Sequence, residues 1–108
     1  MRSVLARRTL LGTTALVLPR MARAAEATVE IKEYAFAPAT LTVAVGTRVT
    51  WTNRDDTPHT VTSAAEPPLF RSGAIDSDDS FAWPFDTRGS FSYFCALHPH
   101  MQGTVIVT

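Results

Sequence analysis

Short runs in which apolar and polar residues alternate recur along most of the chain. Successive side chains of a β-strand point to opposite faces, so this alternation predicts strands with one buried face. The runs are residues 28–33, 41–45, 48–53, 59–63, 80–85, 90–95 and 104–108. Residues 34–39 contain a proline and are predicted to be a connection, and no segment after residue 24 has a helical period. The pattern therefore predicts an all-β fold, a sandwich or barrel with Greek-key connections.

The alternation also indicates which polar side chains face inward. Asn53, His59 and Cys95 share a face with the apolar residues of their own runs, and each lies at an end of its run. An inward histidine and an inward cysteine at strand ends are what a buried site at one pole of a sandwich requires. Pro84 interrupts the run 80–85, which favours an edge strand or a bulge because proline cannot donate to a sheet ladder.

The segment 95–101, which follows an apolar run, reads CALHPHM. Cys95, His98 and Met101 recur in it at three-residue steps. A thiolate and two imidazoles in a trigonal plane, with a weak axial thioether, are the ligand set of a copper electron-transfer site. The segment supplies three of these four groups, and His59 is the only histidine outside it. The sequence therefore predicts one copper ion held by His59, Cys95, His98 and Met101.

Together, the segments around the predicted ligands resemble the cupredoxins, the small blue copper proteins, and most closely their amicyanin and pseudoazurin branch. The similarity runs from about residue 29 to the end of the chain. It includes the segments 51–53 (WTN), 69–73 (LFRSG), 89–95 (GSFSYFC) and 103–105 (GTV). The two-residue gap between His98 and Met101 is the short, amicyanin-like form of the ligand loop.

The resemblance implies a Greek-key β-sandwich or barrel of about seven to eight strands around one type 1 copper ion. It also implies that Asn53 fastens the histidine-bearing loop to the cysteine-bearing one. Members of the family often carry a hydroxyl residue directly after the ligand cysteine, whereas this chain has Ala96. The hydrogen bond that this hydroxyl would make near the Cys95 sulfur is therefore not assigned to any residue by the sequence.

The first 24 residues have the layout of a cleavable signal peptide. Arg7 and Arg8 precede an apolar run at 10–18, and Ala22-Arg23-Ala24 is a small-residue cleavage pattern. The run is shorter than the roughly 20 apolar residues that span a bilayer. The paired arginines favour the twin-arginine route over the general secretory one. We therefore expect a signal peptide at residues 1–24, a copper-binding domain at 25–108 and a periplasmic location, with no membrane insertion after cleavage.

Removal of the signal peptide changes the charge of the protein. The full chain has 10 basic and 10 acidic residues, and five of the arginines lie in residues 1–24. The remaining acidic domain argues against nucleic acid as a partner, because that binding needs lysine and arginine on the phosphates. The single cysteine cannot form an internal disulfide, which favours its assignment as a ligand.

These observations predict a monomeric electron carrier that meets redox partners transiently, such as a dehydrogenase, a cytochrome or a reductase. His98 is expected to carry the electron, inside an apolar collar of Leu97, Pro99, Pro58 and Leu69. The acidic pair Asp55 and Asp56 is a candidate steering charge for a basic partner.

Other functions fit the residues less well. A copper carrier that delivers metal to a cuproenzyme would favour exposed methionine- or histidine-rich ligands, of which His100 and Met101 are the only hint. A copper enzyme would need further histidines, and the chain has three in total. Structural zinc normally takes four firm ligands, and a thioether is a poor one.

Overall fold

A computed structural model describes residues 25–108 of the chain, and the predicted signal peptide at 1–24 lies outside the described residues. The described part contains eight strands and no helix, which confirms the all-β prediction. Accordingly, nothing in residues 25–108 forms a helix able to cross a membrane. The strands are β1 Glu26–Lys32, β2 Ala35–Ala37, β3 Thr40–Val43, β4 Thr47–Asn53, β5 Thr62–Ser63, β6 Ser80–Phe85, β7 Gly89–Phe94 and β8 Gln102–Val107.

The strands form two four-stranded sheets, in the orders β2-β1-β4-β6 and β3-β8-β7-β5. β1 pairs with β4 and β3 pairs with β8 in parallel, while the other neighbours are antiparallel. Several pairs of strands that follow each other in the chain, such as β3 and β4 or β6 and β7, lie in different sheets. The chain therefore crosses repeatedly between the sheets, as expected of a Greek-key sandwich.

The core lies between the two sheets and is rich in aromatic side chains. Trp51 of β4 is fully buried and packs edge-to-face against Tyr93 of β7, with ring centroids 5.3 Å apart. Such pairs stabilise beyond the area that they bury. The inward face of β4, which ends in Asn53, is buried as the alternation predicts. β4 ends at the buried Asn53, and β7 is followed directly by the buried Cys95.

Two segments differ from the sequence prediction. The connection predicted at 34–39 contains the short strand β2, which pairs back onto β1. In the run 59–63 only Thr62–Ser63 is a strand, and Thr60 and Thr62 are buried like His59 and Val61, so neither face of the run is open to solvent. Pro84 behaves as predicted, since β6 is the outermost strand of its sheet.

Candidate metal centre

The structure brings His59, Cys95 and His98 together at one end of the sandwich. The Cys95 Sγ atom lies 3.8 Å from Nδ1 of His59 and 3.7 Å from Nδ1 of His98. Cys95 and His59 are fully buried, whereas His98 is half-buried. More than thirty residues separate His59 from Cys95 in the chain, so this convergence is produced by the fold alone.

The spacing of these three atoms fits a small metal ion between them. Bond lengths of about 2.3 Å to sulfur and about 2.0 Å to nitrogen separate two donors by about 3.7 Å when they lie about 120° apart. The two observed sulfur–nitrogen distances, 3.8 Å and 3.7 Å, match this trigonal arrangement. One thiol and two imidazole nitrogens suit a soft or borderline transition metal.

The loop from Cys95 to Met101 is closed by its own backbone. Cys95 N–H donates to the carbonyl of Met101 over 3.1 Å, and Met101 N–H donates to the carbonyl of His98 over 2.9 Å. His98 N–H in turn donates to the carbonyl of Cys95 over 3.2 Å. Met101 is buried and directly precedes β8. Three predicted ligands therefore sit on one tight loop whose ends are fixed by β7 and β8.

His59 is held from two sides. Its backbone exchanges two hydrogen bonds with Ile75, 3.2 Å and 2.7 Å long. Its Nε2 atom lies 2.8 Å from a carboxylate oxygen of Asp55. An ionised carboxylate only accepts, so this contact places the imidazole proton on Nε2 and leaves the Nδ1 lone pair facing Cys95. A carboxylate partner of this kind fixes the tautomer and orientation of a metal-binding histidine.

Asp55 is an internal element of the site. Its carboxylate accepts hydrogen bonds from the backbone N–H groups of Glu33 (2.7 Å) and Tyr34 (3.0 Å), and its side chain is only 12% exposed. Burial by itself would raise its pKa, but the hydrogen bonds from Tyr34, Glu33 and His59 outweigh burial, so the pKa of Asp55 lies below its ordinary value. Asp55, expected as one half of a steering pair, thus makes mainly internal contacts, and of that pair only Asp56 is exposed.

Asn53 is fully buried beside the site, but its contacts differ from those the resemblance implies. Its amide nitrogen donates to the carbonyls of Thr57 and Ile75, each over 2.9 Å, and its amide oxygen accepts from Asp55 N–H over 2.9 Å. Asn53 thus fastens the loop that carries His59 to the segment containing Ile75. These bonds do not reach the cysteine loop.

Thr60 links the two ligand loops, a role that the sequence did not predict. Its N–H donates to Cys95 Sγ over 3.3 Å, and its hydroxyl accepts from Ala96 N–H over 2.7 Å. The hydroxyl absent at position 96 is therefore supplied from the opposite loop. Its position directly after His59 was the available signal, but its partners lie about 35 residues away.

Three of the four residues of the predicted apolar collar are exposed on the two ligand loops. Leu97 is 52% exposed, and Pro58 and Pro99 are exposed as well. Leu69, also expected there, is 53% exposed and lines a groove of about 240 Å³ with Trp83 and other aromatic residues. His98 is thus the half-buried member of the cluster, on a loop that also carries exposed apolar groups.

The fold and the cluster of one cysteine and two histidines define a cupredoxin. The cupredoxin-like domain family matches residues 7–107, and the chain belongs to this family. It is 33% identical to amicyanin from Paracoccus versutus over 82 residues, which are 73% of this chain and 62% of that protein. It is 39% identical to chloroplastic plastocyanin from Tetradesmus obliquus over 83 residues, 67% of this chain and 57% of that protein. The chain thus spans less than two thirds of the length of these two relatives.

Solved structures agree with this family membership. A purple cupredoxin from Nitrosopumilus maritimus superposes with a TM-score of 0.70 at 32% identity, covering 76% of this chain and 99% of that one. A Cu(I) form of an amicyanin mutant gives a TM-score of 0.73 at 32% identity, covering 81% and 85% of the two chains. The sandwich and the placement of the ligand loop are therefore those of a family that binds one copper ion at a type 1 site.

Proposed function

We propose that the protein is a periplasmic blue copper electron-transfer protein, with copper held by His59, Cys95 and His98 and weakly by Met101. The observation that carries this proposal is the trigonal set of Cys95 Sγ and two imidazole Nδ1 atoms, 3.7 Å and 3.8 Å from the sulfur. The amicyanin and plastocyanin relatives support the same reading.

Bound copper would supply one-electron exchange between its two oxidation states, and the residues of the chain would hold its surroundings fixed. The Cys95 thiolate provides the soft ligand, which the N–H of Thr60 orients through its contact with Sγ. Asp55 keeps Nδ1 of His59 available as a ligand atom. Because these groups are positioned by strands and a closed loop, little rearrangement would accompany electron exchange.

His98 is the proposed exit for the electron, since it is the ligand that reaches the surface. Leu97, Pro58 and Pro99 would form the apolar contact for a redox protein, such as a dehydrogenase, a cytochrome or a reductase. A small interface of this kind suits a transient encounter between redox proteins. Exposed Asp56, which lies two residues before Pro58 in the chain, would favour a partner with basic residues.

A copper titration with matched variants tests the proposal. Metal-free protein is expected to take up one Cu(II) per chain and to develop an intense blue or green thiolate-to-copper band. Cys95→Ser should abolish the band, whereas His100→Ala should keep it, because His100 is an exposed neighbour in the same loop. A wild-type protein that binds zinc but gives no such band with copper would overturn the proposal.

A copper carrier remains the alternative function, and one observation favours it. The ring of exposed His100 lies 6.5 Å from that of His98, so a second imidazole is available at the surface. The full burial of His59 and Cys95 opposes rapid metal exchange. Transfer of copper to a metal-free acceptor protein within seconds would favour delivery, and retention over hours with fast electron exchange would favour the electron carrier.

Residues 1–24 are proposed to direct export and to be removed afterwards. The remaining chain is proposed to act as a monomer without enzymatic activity of its own. Mass spectrometry of protein isolated from the periplasm should then show a chain that begins at Ala25. Cytoplasmic protein of full length would contradict this part of the proposal.

A further inference from the structure

The ring of Tyr34 packs against both imidazoles of the candidate metal centre. Its centroid lies 5.1 Å from that of His59 and 4.9 Å from that of His98, and the two imidazole centroids are 5.0 Å apart. All three pairs are edge-to-face, an arrangement that aromatic rings favour. Tyr34 thus completes a nearly equilateral cluster of rings without being a metal-binding group.

Burial shows which of these rings meets solvent. Tyr34 is 44% exposed, whereas His59, which it contacts, is fully buried. An exposed ring in contact with a fully buried one covers it. Tyr34 therefore shields His59 and also lies against one face or edge of the half-buried His98.

The backbone of Tyr34, whose ring covers His59, adopts an unfavourable conformation. Glu33 and Tyr34 form the two-residue turn between β1 and β2, with φ angles of 53° and 58°. Turns of this geometry strongly prefer asparagine and glycine, and a bulky residue at positive φ is uncommon. Unfavourable conformations of this kind persist where the surroundings enforce them, often at functional sites.

Two anchors enforce the turn. The Asp55 carboxylate accepts both of its N–H groups, and the Tyr34 hydroxyl forms a 2.9 Å hydrogen bond with Thr57 Oγ1. Asp55 also contacts His59, so one carboxylate sets the position of the imidazole and of the ring that covers it.

We propose that Tyr34 is a positioning residue of the metal centre: its ring keeps His98 in the orientation that directs Nδ1 at Cys95, and it shields the His59 side from water. This inference rests on the proposed copper function. It predicts that loss of the ring loosens the metal, because removing groups that orient metal ligands typically weakens binding about 10- to 100-fold.

Three variants separate the role of the ring from that of the turn. Tyr34→Gly removes the ring but suits a positive φ, and Tyr34→Phe keeps the ring but loses the bond to Thr57. Glu33→Gly is the matched control, because it relieves the same turn without touching either imidazole. The copper-loaded proteins are compared by the rate of copper loss to a chelator and by the thiolate-to-copper band.

Tyr34→Gly is expected to lose copper at least about tenfold faster, with a shifted band. Tyr34→Phe and Glu33→Gly should stay within about twofold of wild type. Equal rates and identical spectra for Tyr34→Gly and wild type would overturn the inference while leaving the copper function intact.

The metal-free protein gives a second readout that does not depend on copper. Coupling constants of His98 measured by NMR should report one χ1 rotamer in wild type and averaging between rotamers in Tyr34→Gly. A single rotamer in both proteins would refute the positioning role, even if the wild-type protein took up no copper and the proposed function had failed.

Discussion

Asp55 and His59 are joined by a 2.8 Å contact between a carboxylate oxygen and Nε2. The same carboxylate accepts the two N–H groups of the turn between β1 and β2. One acidic side chain therefore connects a metal-facing imidazole to the first hairpin of the fold, which lies more than twenty residues away in the sequence.

We expect Asp55→Asn to destabilise the metal-free protein in a pH-dependent manner. Hydrogen bonds to a charged group are worth about 1.5–3 kcal/mol, and the amide keeps one acceptor oxygen, so a loss of about 1–3 kcal/mol in the free energy of unfolding is expected at pH 7. The folded-state pKa of Asp55 is lowered, so its stabilisation is present above the ordinary value of 3.8 and is lost as pH falls below it.

Urea unfolding at pH 7, 5, 4 and 3 measures this difference. The difference in unfolding free energy between wild type and Asp55→Asn should stay constant from pH 7 to pH 5 and narrow between pH 4 and pH 3. A gap of constant size across the series would show that the charge of Asp55 is not the stabilising feature.

The link between Thr60 and the cysteine loop leads to a second prediction. Thr60→Val keeps the shape of the side chain but leaves the N–H of Ala96 without its 2.7 Å acceptor. An unsatisfied, partly buried donor costs about 1–3 kcal/mol, so the unfolding free energy should fall by at least about 1 kcal/mol. Thr60→Ser retains the hydroxyl and should lose clearly less. Denaturant unfolding of both variants compares them, and equal losses would exclude the hydrogen bond as the cause.

Gly103 pairs with Tyr93 between β8 and β7 and leaves room for its ring. A Cβ atom at position 103 would overlap the Cζ and hydroxyl atoms of Tyr93. Gly103→Ala should therefore destabilise the protein by about 1–3 kcal/mol, as overpacking usually does. In a Tyr93→Leu background the same substitution should cost much less, and a double-mutant cycle measures this coupling. Strictly additive effects would contradict the proposed overlap.

The turn between β1 and β2 makes a stabilising substitution available. Glu33 has a φ of 53°, a region that costs an ordinary residue about 1–2 kcal/mol. Glycine avoids this cost but loses more entropy on folding, so Glu33→Gly should raise the unfolding free energy by up to about 1 kcal/mol. Glu33→Ala keeps the unfavourable φ and should remain within about 0.5 kcal/mol of wild type. Thermal unfolding compares the melting temperatures of wild type, Glu33→Gly and Glu33→Ala. A Glu33→Gly variant that melts below wild type would contradict this prediction.

The sequence predicted the features that depend on local pattern. Alternation located most strands and placed Asn53, His59 and Cys95 on inward faces, where the structure has them. The spacing of residues 95–101 located the loop, and the scarcity of histidines identified His59 as the partner. The structure brings His59, Cys95 and His98 together, and local pattern could locate them because strand parity and loop spacing are properties of neighbouring residues.

The hydrogen bonds that hold the ligand loops in place could not be predicted from local pattern, because each joins segments far apart in the chain. Asp55 reaches back to Glu33 and Tyr34, and Thr60 reaches forward to Ala96. β2 escaped notice because its turn lacks the glycine or asparagine that usually marks a two-residue hairpin. A carboxylate that caps backbone N–H groups from another loop took the place of the usual turn residues.

The central position of the last strand has a consequence for biosynthesis. β8 lies between β3 and β7, so until residues 102–107 have left the ribosome β3 has no partner in its sheet and β7 pairs only with the two-residue strand β5. The loop from Cys95 to Met101 leads directly into that same strand, which fixes its C-terminal end. The second sheet therefore cannot assemble before residues 102–107 are available, and a protein without this strand would lose the shared partner of β3 and β7 together with the strand into which the metal-binding loop leads.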